Sequence, residues 1–205
     1  MYKNVNSRGI PKPVEVEPIK KVKDIEKIKQ YLNGKKSRRD YMLFVVGINV
    51  GLRAGDLLEL KVKEVSDGRR INDSVLIQEQ KTGKMREFTL NKSAKEAIQY
   101  YLDGKNEYNP EDYLFRSQKG GHITVQATHK IIKSLLRDLN IKGNFGTHSL
   151  RKTFGYHVFI TNAKINPMTL PTLQKIFNHS NQATTLRYIG ITKEVISDIY
   201  NSINL

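Results

Sequence analysis

The sequence predicts an α+β fold that is mostly α-helical and carries one small antiparallel β-sheet. Apolar residues recur at helical spacing over most of the 205 residues. Two short β-rich runs flank one glycine-containing turn, as in a hairpin. The chain has no internal repeat and no low-complexity tract. Its length is that of one domain with a substantial core, or of one domain plus a tail.

Residues 1–21 are predicted to form an extended arm or linker that is not part of the core. They carry Pro11, Pro13 and Pro18 among lysines and valines, and clustered prolines are typical of linkers. A single domain is therefore expected over residues 22–205.

The first half of this domain is predicted to begin with helices. One is expected over Asp24 to Leu32 and a second over Arg38 to Val50. The second is apolar on nearly all sides, which indicates a buried helix. The segment "RAGDLLEL" (residues 53–60) is predicted to form a short helical turn with its leucines turned inward.

The small sheet is predicted between residues 74 and 90. "SVLIQEQ" and "MREFTL" are the β-rich runs, and "KTGK" between them supplies Gly83 for the tight turn of a hairpin. A helix resumes at "SAKEAIQYYL", and Ser93 is the expected N-cap.

Four further helices are predicted in the second half of the chain: Val125 to Leu139, His148 to Ile160, Thr169 to Phe177, and Lys193 to Ile203. The last one carries an apolar stripe at helical spacing, made of Val195, Ile196, Ile199, Tyr200 and Ile203. Such a stripe packs either on its own domain or on another protein, because amphipathicity alone does not separate the two.

The charge of the chain favours a polyanionic partner. Its 35 Lys and Arg against 20 Asp and Glu give a formal net charge of +15. Neutralising phosphates releases counterions and drives binding, so nucleic acid is the expected partner. The alternative is a merely basic protein, such as a ribosome-associated one.

Several classes of protein are excluded. The chain has no cysteine, hence no disulfide, no thiolate metal site and no cysteine nucleophile. The longest apolar run, "MLFVVGINVGL", is too short to span a bilayer. The N-terminal "MYKNVNSRGIPKP" lacks the apolar segment of a signal peptide. A cytoplasmic protein without a membrane partner is expected.

Charged residues in unusual positions are the first candidates for a site. Arg53 lies in the apolar segment "NVGLRAGDLLEL" and needs a partner, which Asp56 could supply. A structural Arg–Asp pair and a catalytic arginine both remain open. Lys81, Lys84 and Arg86 surround the hairpin tip in "QKTGKMR". Hairpin tips are often basic, so this segment alone is weak evidence for phosphate contact.

The segment "GTHSLRKTFGYH" places His148 and Arg151 three residues apart, beside Lys152. On a helix the two share one face. Thr147 is expected to cap this helix, whose N-terminus favours anions. The chain has no HExxH motif and no His–Cys spacing, so a metal site built by the protein is not expected.

The segment "FNHSNQATTLRYIG" places His179 before a polar turn and a short stretch that ends in Tyr188. A tyrosine there is ordinarily a packing residue. Two arginines, a lysine and two histidines, however, are groups that stabilise a charged phosphoryl transition state without metal. A tyrosine hydroxyl becomes a nucleophile once cationic neighbours share or remove its proton, because its reference pKa is near 10.

Together these segments resemble the boxes of the tyrosine recombinases, also called phage integrases. "GLRAGDLLEL" resembles the first-arginine box, "KTGK" the hairpin lysine and "HSLR" the His-x-x-Arg box. "FNHSNQATTLRY" resembles the His–nucleophile box, with the family's spacing from His179 to Tyr188. The boxes follow the family's order over about residues 22–203. Asp56 stands where many members have Glu, and "FNH" where "LGH" is common.

The resemblance implies a fold, that of the tyrosine recombinase catalytic domain, and an enzyme that cuts and rejoins double-stranded DNA through a 3′-phosphotyrosyl intermediate, with no cofactor. It implies six catalytic residues: Arg53, Lys81, His148, Arg151, His179 and Tyr188. Arg53, Arg151 and His179 would hold the phosphate, with Asp56 orienting Arg53. Lys81 would protonate the leaving 5′-oxygen, and His148 would assist proton transfer at Tyr188. Contact with DNA is expected from Lys84, Arg86, Lys152 and Arg187.

The leading interpretation is a site-specific recombinase of the integration, excision or inversion type. The alternatives are a topoisomerase with the same chemistry and a non-cleaving DNA-binding regulator of a mobile element. Most family members carry a helical core-binding domain in front, which is not expected here, so the chain is either a catalytic domain alone or a fragment. The helix at residues 193–203 would tie together a DNA-bound tetramer if it docks on a neighbouring protomer.

Overall fold

The computed structural model describes residues 15–105, 107–191, 197 and 200–203. Within these residues it contains helices and one two-stranded antiparallel sheet, which confirms the predicted fold class. In chain order the elements are α1 (Val22–Gly34), α2 (Arg38–Val50), α3 (Ala54–Leu58), α4 (Val62–Val65), β1 (Ser74–Gln78), β2 (Met85–Thr89), α5 (Lys92–Leu102), α6 (Val125–Asp138), α7 (Thr147–Asn162), α8 (Thr169–Phe177) and α9 (Gln182–Ile189).

Helix α2 is the centre of the main core, as its all-round apolar sequence predicts. It packs against α1, α5 and α7, and each large side chain that it buries stabilises the fold by about 1.5–3 kcal/mol. Gly47 lets α7 approach closely, because a Cβ there would lie 2.7 Å from Cδ1 of Leu150. The helix ends at Gly51, whose φ of 61° is left-handed. Leu52 and Arg53 follow, and Arg53 leads into α3.

The predicted hairpin is confirmed. Strands β1 and β2 pair from Ser74 opposite Thr89 to Gln78 opposite Met85. Gly83 has a φ of 65° in the turn, a conformation that glycine adopts without strain. The hairpin turn therefore presents the "KTGK" segment at one end of the sheet.

A smaller apolar cluster joins α7, α8 and α9. Its fully buried members are Leu173, Phe177, Ile189 and Ile191. Helix α9 was not predicted, since the sequence indicates only a polar turn and a short segment there. Asn181 starts it by accepting the backbone N–H of Thr184 at 2.8 Å, and Tyr188 lies in its last turn.

Two predicted helix caps are wrong. Helix α5 is capped by Asn91, whose Oδ1 accepts the N–H of Ala94 at 3.0 Å, and Ser93 lies inside the helix. At the start of α7, Thr147 donates its hydroxyl to the carbonyl of Val125 at 3.1 Å. Several cap-forming residue types lie side by side at both places, and tertiary contacts decide between them.

Residues 15–21 form no helix or strand, and the expectation that they lie outside the core is wrong for Ile19. This side chain is 1% exposed. Its N–H donates to Oγ1 of Thr153 at 2.8 Å, and its carbonyl lies 2.9 Å from Nε2 of His157. Thr153 and His157 are one helical turn apart, so α7 satisfies both backbone groups of the extended residue.

The helix predicted at residues 193–203 lies mostly outside the described residues, including Val195, Ile196 and Ile199. Tyr200 and Ile203 are described and expose 78% and 62% of their surfaces. These two side chains of the apolar stripe are therefore not buried in their own domain. Over the described part of the chain, no helix has the length and apolar character to cross a membrane.

Candidate active site

Arg151 is a buried charge at the centre of the site and is 5% exposed. Its Nη1 donates to the carbonyl of Gly51 at 2.6 Å and its Nη2 to the carbonyl of Phe177 at 3.1 Å. The guanidinium also lies 4.6 Å from the centroid of the Phe177 ring. Burial lowers the pKa of Arg151 to about 10, so the group keeps its charge at neutral pH. Helix α7, the end of α2 and the end of α8 together fix its orientation.

Arg53 is paired with a carboxylate that the sequence reasoning did not single out. Its Nη1 lies 2.8 Å from Oε2 of Glu79, at the hairpin end. The N–H bond does not point at this oxygen, so the contact is an ion pair without a hydrogen bond. Asp56, the expected partner, instead accepts the backbone N–H of Gln80 at 3.0 Å through Oδ1. Asp56 thus fixes the residue next to Glu79, and Glu79 contacts the arginine. The signal in the sequence is the acidic residue of "QEQKTGK", just before Lys81.

Glu79 also binds Arg86. Oε1 of Glu79 accepts Nη1 of Arg86 at 3.3 Å, and the hydroxyl of Thr82 donates to Oε2 at 2.8 Å. Burial opposes ionisation of Glu79, but the hydrogen bond from Thr82 and the ion pairs with Arg53 and Arg86 outweigh it and lower its pKa. Burial lowers the pKa of Arg86 in turn. The side chain of Arg86 is 13% exposed and its Nη2 lies 3.5 Å from the carbonyl of Gly51, so it points inward, although contact with DNA was expected.

The two lysines of the hairpin turn, Lys81 and Lys84, are exposed. The turn that carries them is held by Glu79, whose N–H donates to the carbonyl of Lys84 at 2.9 Å and whose carbonyl accepts the N–H of Gly83 at 2.8 Å. Lys81 is thus two residues from the carboxylate that binds Arg53. The structure places this lysine on a turn that is anchored to Glu79, the residue that contacts Arg53.

Both histidines of the motifs lie near Arg151. His179 follows α8, and its Nδ1 lies 3.1 Å from Oγ1 of Thr185. Burial and then the charges of Arg151 and Arg53 lower its pKa. His148 faces solvent in the first turn of α7, yet partial desolvation and then Arg151 and Lys152 lower its pKa as well. Both imidazoles are therefore neutral at pH 7.

Tyr188 completes the cluster. Its ring meets the ring of His179 edge to face at 5.0 Å between centroids and that of Phe177 at 5.3 Å. Burial raises the pKa of Tyr188, while the charges of Arg151 and Arg53 act in the opposite direction. The phenol is therefore protonated at neutral pH, and its use as a nucleophile requires a proton acceptor.

The last two predicted DNA contacts differ from each other. Arg187 is exposed on α9, next to Tyr188. Lys152 is 5% exposed, and its Nζ contacts Glu15 at 3.2 Å. A lysine buried in its own domain in this way does not present its ammonium group for contact with a DNA backbone.

Chemically, the arrangement suits a phosphate ester. A second guanidinium, two neutral imidazoles and a phenol surround Arg151. Such donors can bind the oxygens of a phosphate while the hydroxyl attacks phosphorus. Within the described segments, no group of three or more His, Asp or Glu residues is placed to hold a metal ion.

The fold is that of tyrosine recombinase catalytic domains. A crystal structure of XerA recombinase aligns with a TM-score of 0.71 at 22% identity, covering 94% of this chain and 66% of that one. The XerH site-specific recombinase, in its post-cleavage complex with a palindromic difH substrate, aligns with a TM-score of 0.68 at 18% identity, covering 93% of this chain and 54% of that one.

The sequence defines the family. The model of the phage integrase family matches residues 20–194. The probable integrase/recombinase YoeC of Bacillus subtilis (strain 168) is 36% identical over 186 residues, which cover 90% of this chain and 95% of the relative. The tyrosine recombinase XerC of Caldanaerobacter subterraneus subsp. tengcongensis is 25% identical over 88% of this chain and 49% of its own length. The chain belongs to the phage integrase family and spans about half the length of that XerC relative.

Proposed function

We propose that this protein is a site-specific DNA recombinase that cuts and rejoins DNA through a covalent link to Tyr188. The observation that carries the proposal is the packing of Tyr188 against His179 and Phe177, directly beside the buried Arg151. Membership of the phage integrase family and relatives named as recombinases support the reaction class.

In the first step, Oη of Tyr188 attacks a DNA phosphorus and the bond from phosphorus to the 5′-oxygen breaks. The product is a 3′-phosphotyrosyl link and a free 5′-hydroxyl. His148, neutral at pH 7, accepts the phenol proton, and Lys81 gives a proton to the leaving oxygen. A second 5′-hydroxyl then attacks the link and restores the phosphodiester. The link stores the bond energy, so ATP is not required.

Arg151 is suited to hold the phosphate while it remains anchored to the protein. A guanidinium has five N–H donors, and the carbonyls of Gly51 and Phe177 take one each from Nη1 and Nη2. The other N–H groups face Tyr188, and we assign them to the non-bridging oxygens when DNA is bound. Arg53 binds the same oxygens from the other side, with Glu79 and Asp56 fixing its position, and His179 adds a further donor.

Double-stranded DNA is the proposed partner, as in the XerH complex with its difH substrate. The net charge of +15 supports binding to a phosphate backbone. Lys84 and Arg187 are exposed on elements that hold catalytic residues, and we assign them to backbone contacts near the cleaved phosphate. A DNA substrate agrees with a cytoplasmic location.

A tetramer on DNA is proposed through residues 193–203. Tyr200 and Ile203 of the apolar stripe are exposed in the single chain, which favours docking on a neighbouring protomer. A chain that ends at Ile191 is expected to bind DNA without forming the higher assembly. Gel filtration and sedimentation of both chains with DNA test this, and an unchanged assembly contradicts it.

Recombination is better supported than the alternatives. A regulator that no longer cleaves does not require Arg53, Lys81, His148, Arg151, His179 and Tyr188 together. A topoisomerase shares the chemistry, but the relatives are named integrase/recombinase and tyrosine recombinase.

The test begins with the covalent link. The protein is incubated with supercoiled plasmid in EDTA and quenched with SDS, and wild type is compared with Tyr188→Phe. We expect relaxed plasmid and a protein–DNA adduct that the variant does not form. An adduct that persists in Tyr188→Phe, or that requires a divalent metal, contradicts the proposed mechanism. Exchange between two duplexes that carry the cleaved sequence then separates recombination from relaxation alone.

A further inference from the structure

Lys152 is a buried cation that the proposed reaction does not use. Its side chain exposes 7% of its surface, and a buried charge requires a partner. Nζ lies 3.2 Å from Oε2 of Glu15 and 4.9 Å from the centroid of the Tyr188 ring. Lys152 therefore connects the N-terminal segment to the side chain of the proposed nucleophile.

A cation over the face of a tyrosine ring distinguishes the two protonation states of the phenol. It is attracted to the π-electrons of the neutral ring. When the phenol loses its proton, negative charge spreads into the ring, and the attraction gains a Coulomb contribution that is large in a desolvated site. Lys152 thus favours the ionised ring more than the neutral one.

Glu15 has the opposite effect. Its carboxylate contributes to the raised pKa of Tyr188, and it neutralises part of the charge of Lys152. The side chain of Glu15 is 72% exposed, whereas Ile19 is 1% exposed and hydrogen-bonded to α7. Glu15 is anchored through its backbone, because its carbonyl accepts Nδ2 of Asn144 at 3.1 Å, whereas its exposed carboxylate can be substituted without disturbing the core.

We propose that Lys152 is a positioning residue that holds the ring of Tyr188 and favours its phenolate, and that Glu15 counteracts this effect while it is paired with Lys152. The proposal rests on the proposed function of Tyr188 as the nucleophile. Lys152 forms no bond and supplies no proton in it. The phenol proton still goes to His148.

Other charged groups face Tyr188 and must stay constant in a test. Arg151 on α7 and Arg53 before α3 are positive, and His179 before α9 is neutral at pH 7. Substitution of Lys152 or Glu15 alters none of these side chains. A change in the titration of Tyr188 therefore reports on the Lys152–Glu15 pair.

The experiment titrates Tyr188 directly in the full chain without DNA. A fluorinated tyrosine is incorporated at position 188 and its ¹⁹F NMR signal is followed against pH. Lys152→Met is expected to move the midpoint to higher pH, because the cation is lost and the apolar stem is kept. Glu15→Gln is expected to move it to lower pH. Lys152→Arg, which keeps the charge, and Lys130→Met, at an exposed site on α6, serve as controls that stay near the parent.

Midpoints that do not move in Lys152→Met and Glu15→Gln, or that move in the same direction, overturn the proposal. Circular dichroism checks that each variant is folded, and the exposed Glu15 provides the test even if Lys152→Met unfolds. Plasmid relaxation by the same proteins separates the two proposals. Opposite shifts of the midpoint without any Tyr188-dependent relaxation speak against the proposed function alone. Tyr188-dependent relaxation with unmoved midpoints speaks against the charge pair alone.

Discussion

Glu79 is expected to stabilise the folded protein mainly through its ion pairs with Arg53 and Arg86. The variant Glu79→Gln tests this. The substitution keeps the size of the side chain and removes its charge. The side chain of Glu79 is 5% exposed, and those of Arg53 and Arg86 are 23% and 13% exposed. The variant therefore leaves two poorly solvated guanidinium groups without their carboxylate, beside the further positive charge of Arg151.

We expect the free energy of unfolding to fall by about 3 kcal/mol, the lower end for breaking a buried ion pair, because Arg53 keeps some solvent. For a domain of this size the melting temperature then falls by about 6–12 °C. Urea denaturation at pH 7 measures the free energy. Glu111→Gln is the matched control, because Glu111 also pairs with two cations, Lys61 and Lys63, but at an exposed site. Little change is expected there.

The pH dependence gives a second measurement on Glu79. The pKa of this carboxyl is lowered in the folded protein, so its stabilising contribution is present above the ordinary carboxyl range. That contribution is lost as the pH falls through the lowered pKa. Wild type and Glu79→Gln should therefore converge in stability on acidification. A loss at pH 7 no larger than that of Glu111→Gln, or a difference that persists in acid, would refute this account of Glu79.

Three further predictions concern the core, the phosphate site and its proton acceptor. Gly47→Val should lower the free energy of unfolding by about 1–3 kcal/mol, because the added side chain overpacks α2 against α7. Gly34→Ala is the control and should not destabilise the protein, because the space around Gly34 is open. Thermal unfolding compares the two variants. Arg151→Lys should lower the rate of adduct formation by about 100-fold or more, because lysine lacks the planar guanidinium that binds two carbonyls and a phosphate. An SDS-gel time course measures the rate. Cleavage near the wild-type rate would contradict the role of Arg151 in phosphate binding. The lowered pKa of His148 predicts that the rate of adduct formation is constant near pH 7. The rate should fall only in acid, below the ordinary histidine range, where the imidazole is protonated and can no longer accept the proton. A decline that begins above that range would exclude His148 as the acceptor.

The sequence predicted most of the fold because the relevant signals are local. The all-round apolar α2 and the hairpin around Gly83 depend on short-range periodicity and turn chemistry. The candidate site residues have a different source, the resemblance of four segments to the tyrosine recombinase boxes, and the structure brings Arg53, Arg151, His179 and Tyr188 close together.

The rest depended on contacts between segments that are distant in the sequence. Glu79 in the hairpin forms an ion pair with Arg53, which precedes α3. The carbonyl of Gly51 accepts a hydrogen bond from Nη1 of Arg151, which lies 100 residues further along the chain. Ile19 is buried because two polar side chains of α7 satisfy its backbone, which no pattern in residues 1–21 indicates. Lys152 was expected to contact DNA, whereas the structure buries its side chain and places Nζ against Glu15 and over the Tyr188 ring.

The anchoring of Arg151 to main-chain carbonyls has a consequence for how this site tolerates change. A backbone oxygen is present whichever side chain its residue carries, so substitution at Phe177 removes an aromatic contact but leaves the acceptor in place. Position 51 is different, because a Cβ there would lie 2.4 Å from the Phe154 ring and the φ of 61° strains other residues. The orientation of Arg151, the arginine proposed to bind the phosphate, is thus specified by backbone geometry and a single glycine. Sequence drift across most of the surrounding side chains can proceed while the guanidinium keeps its direction.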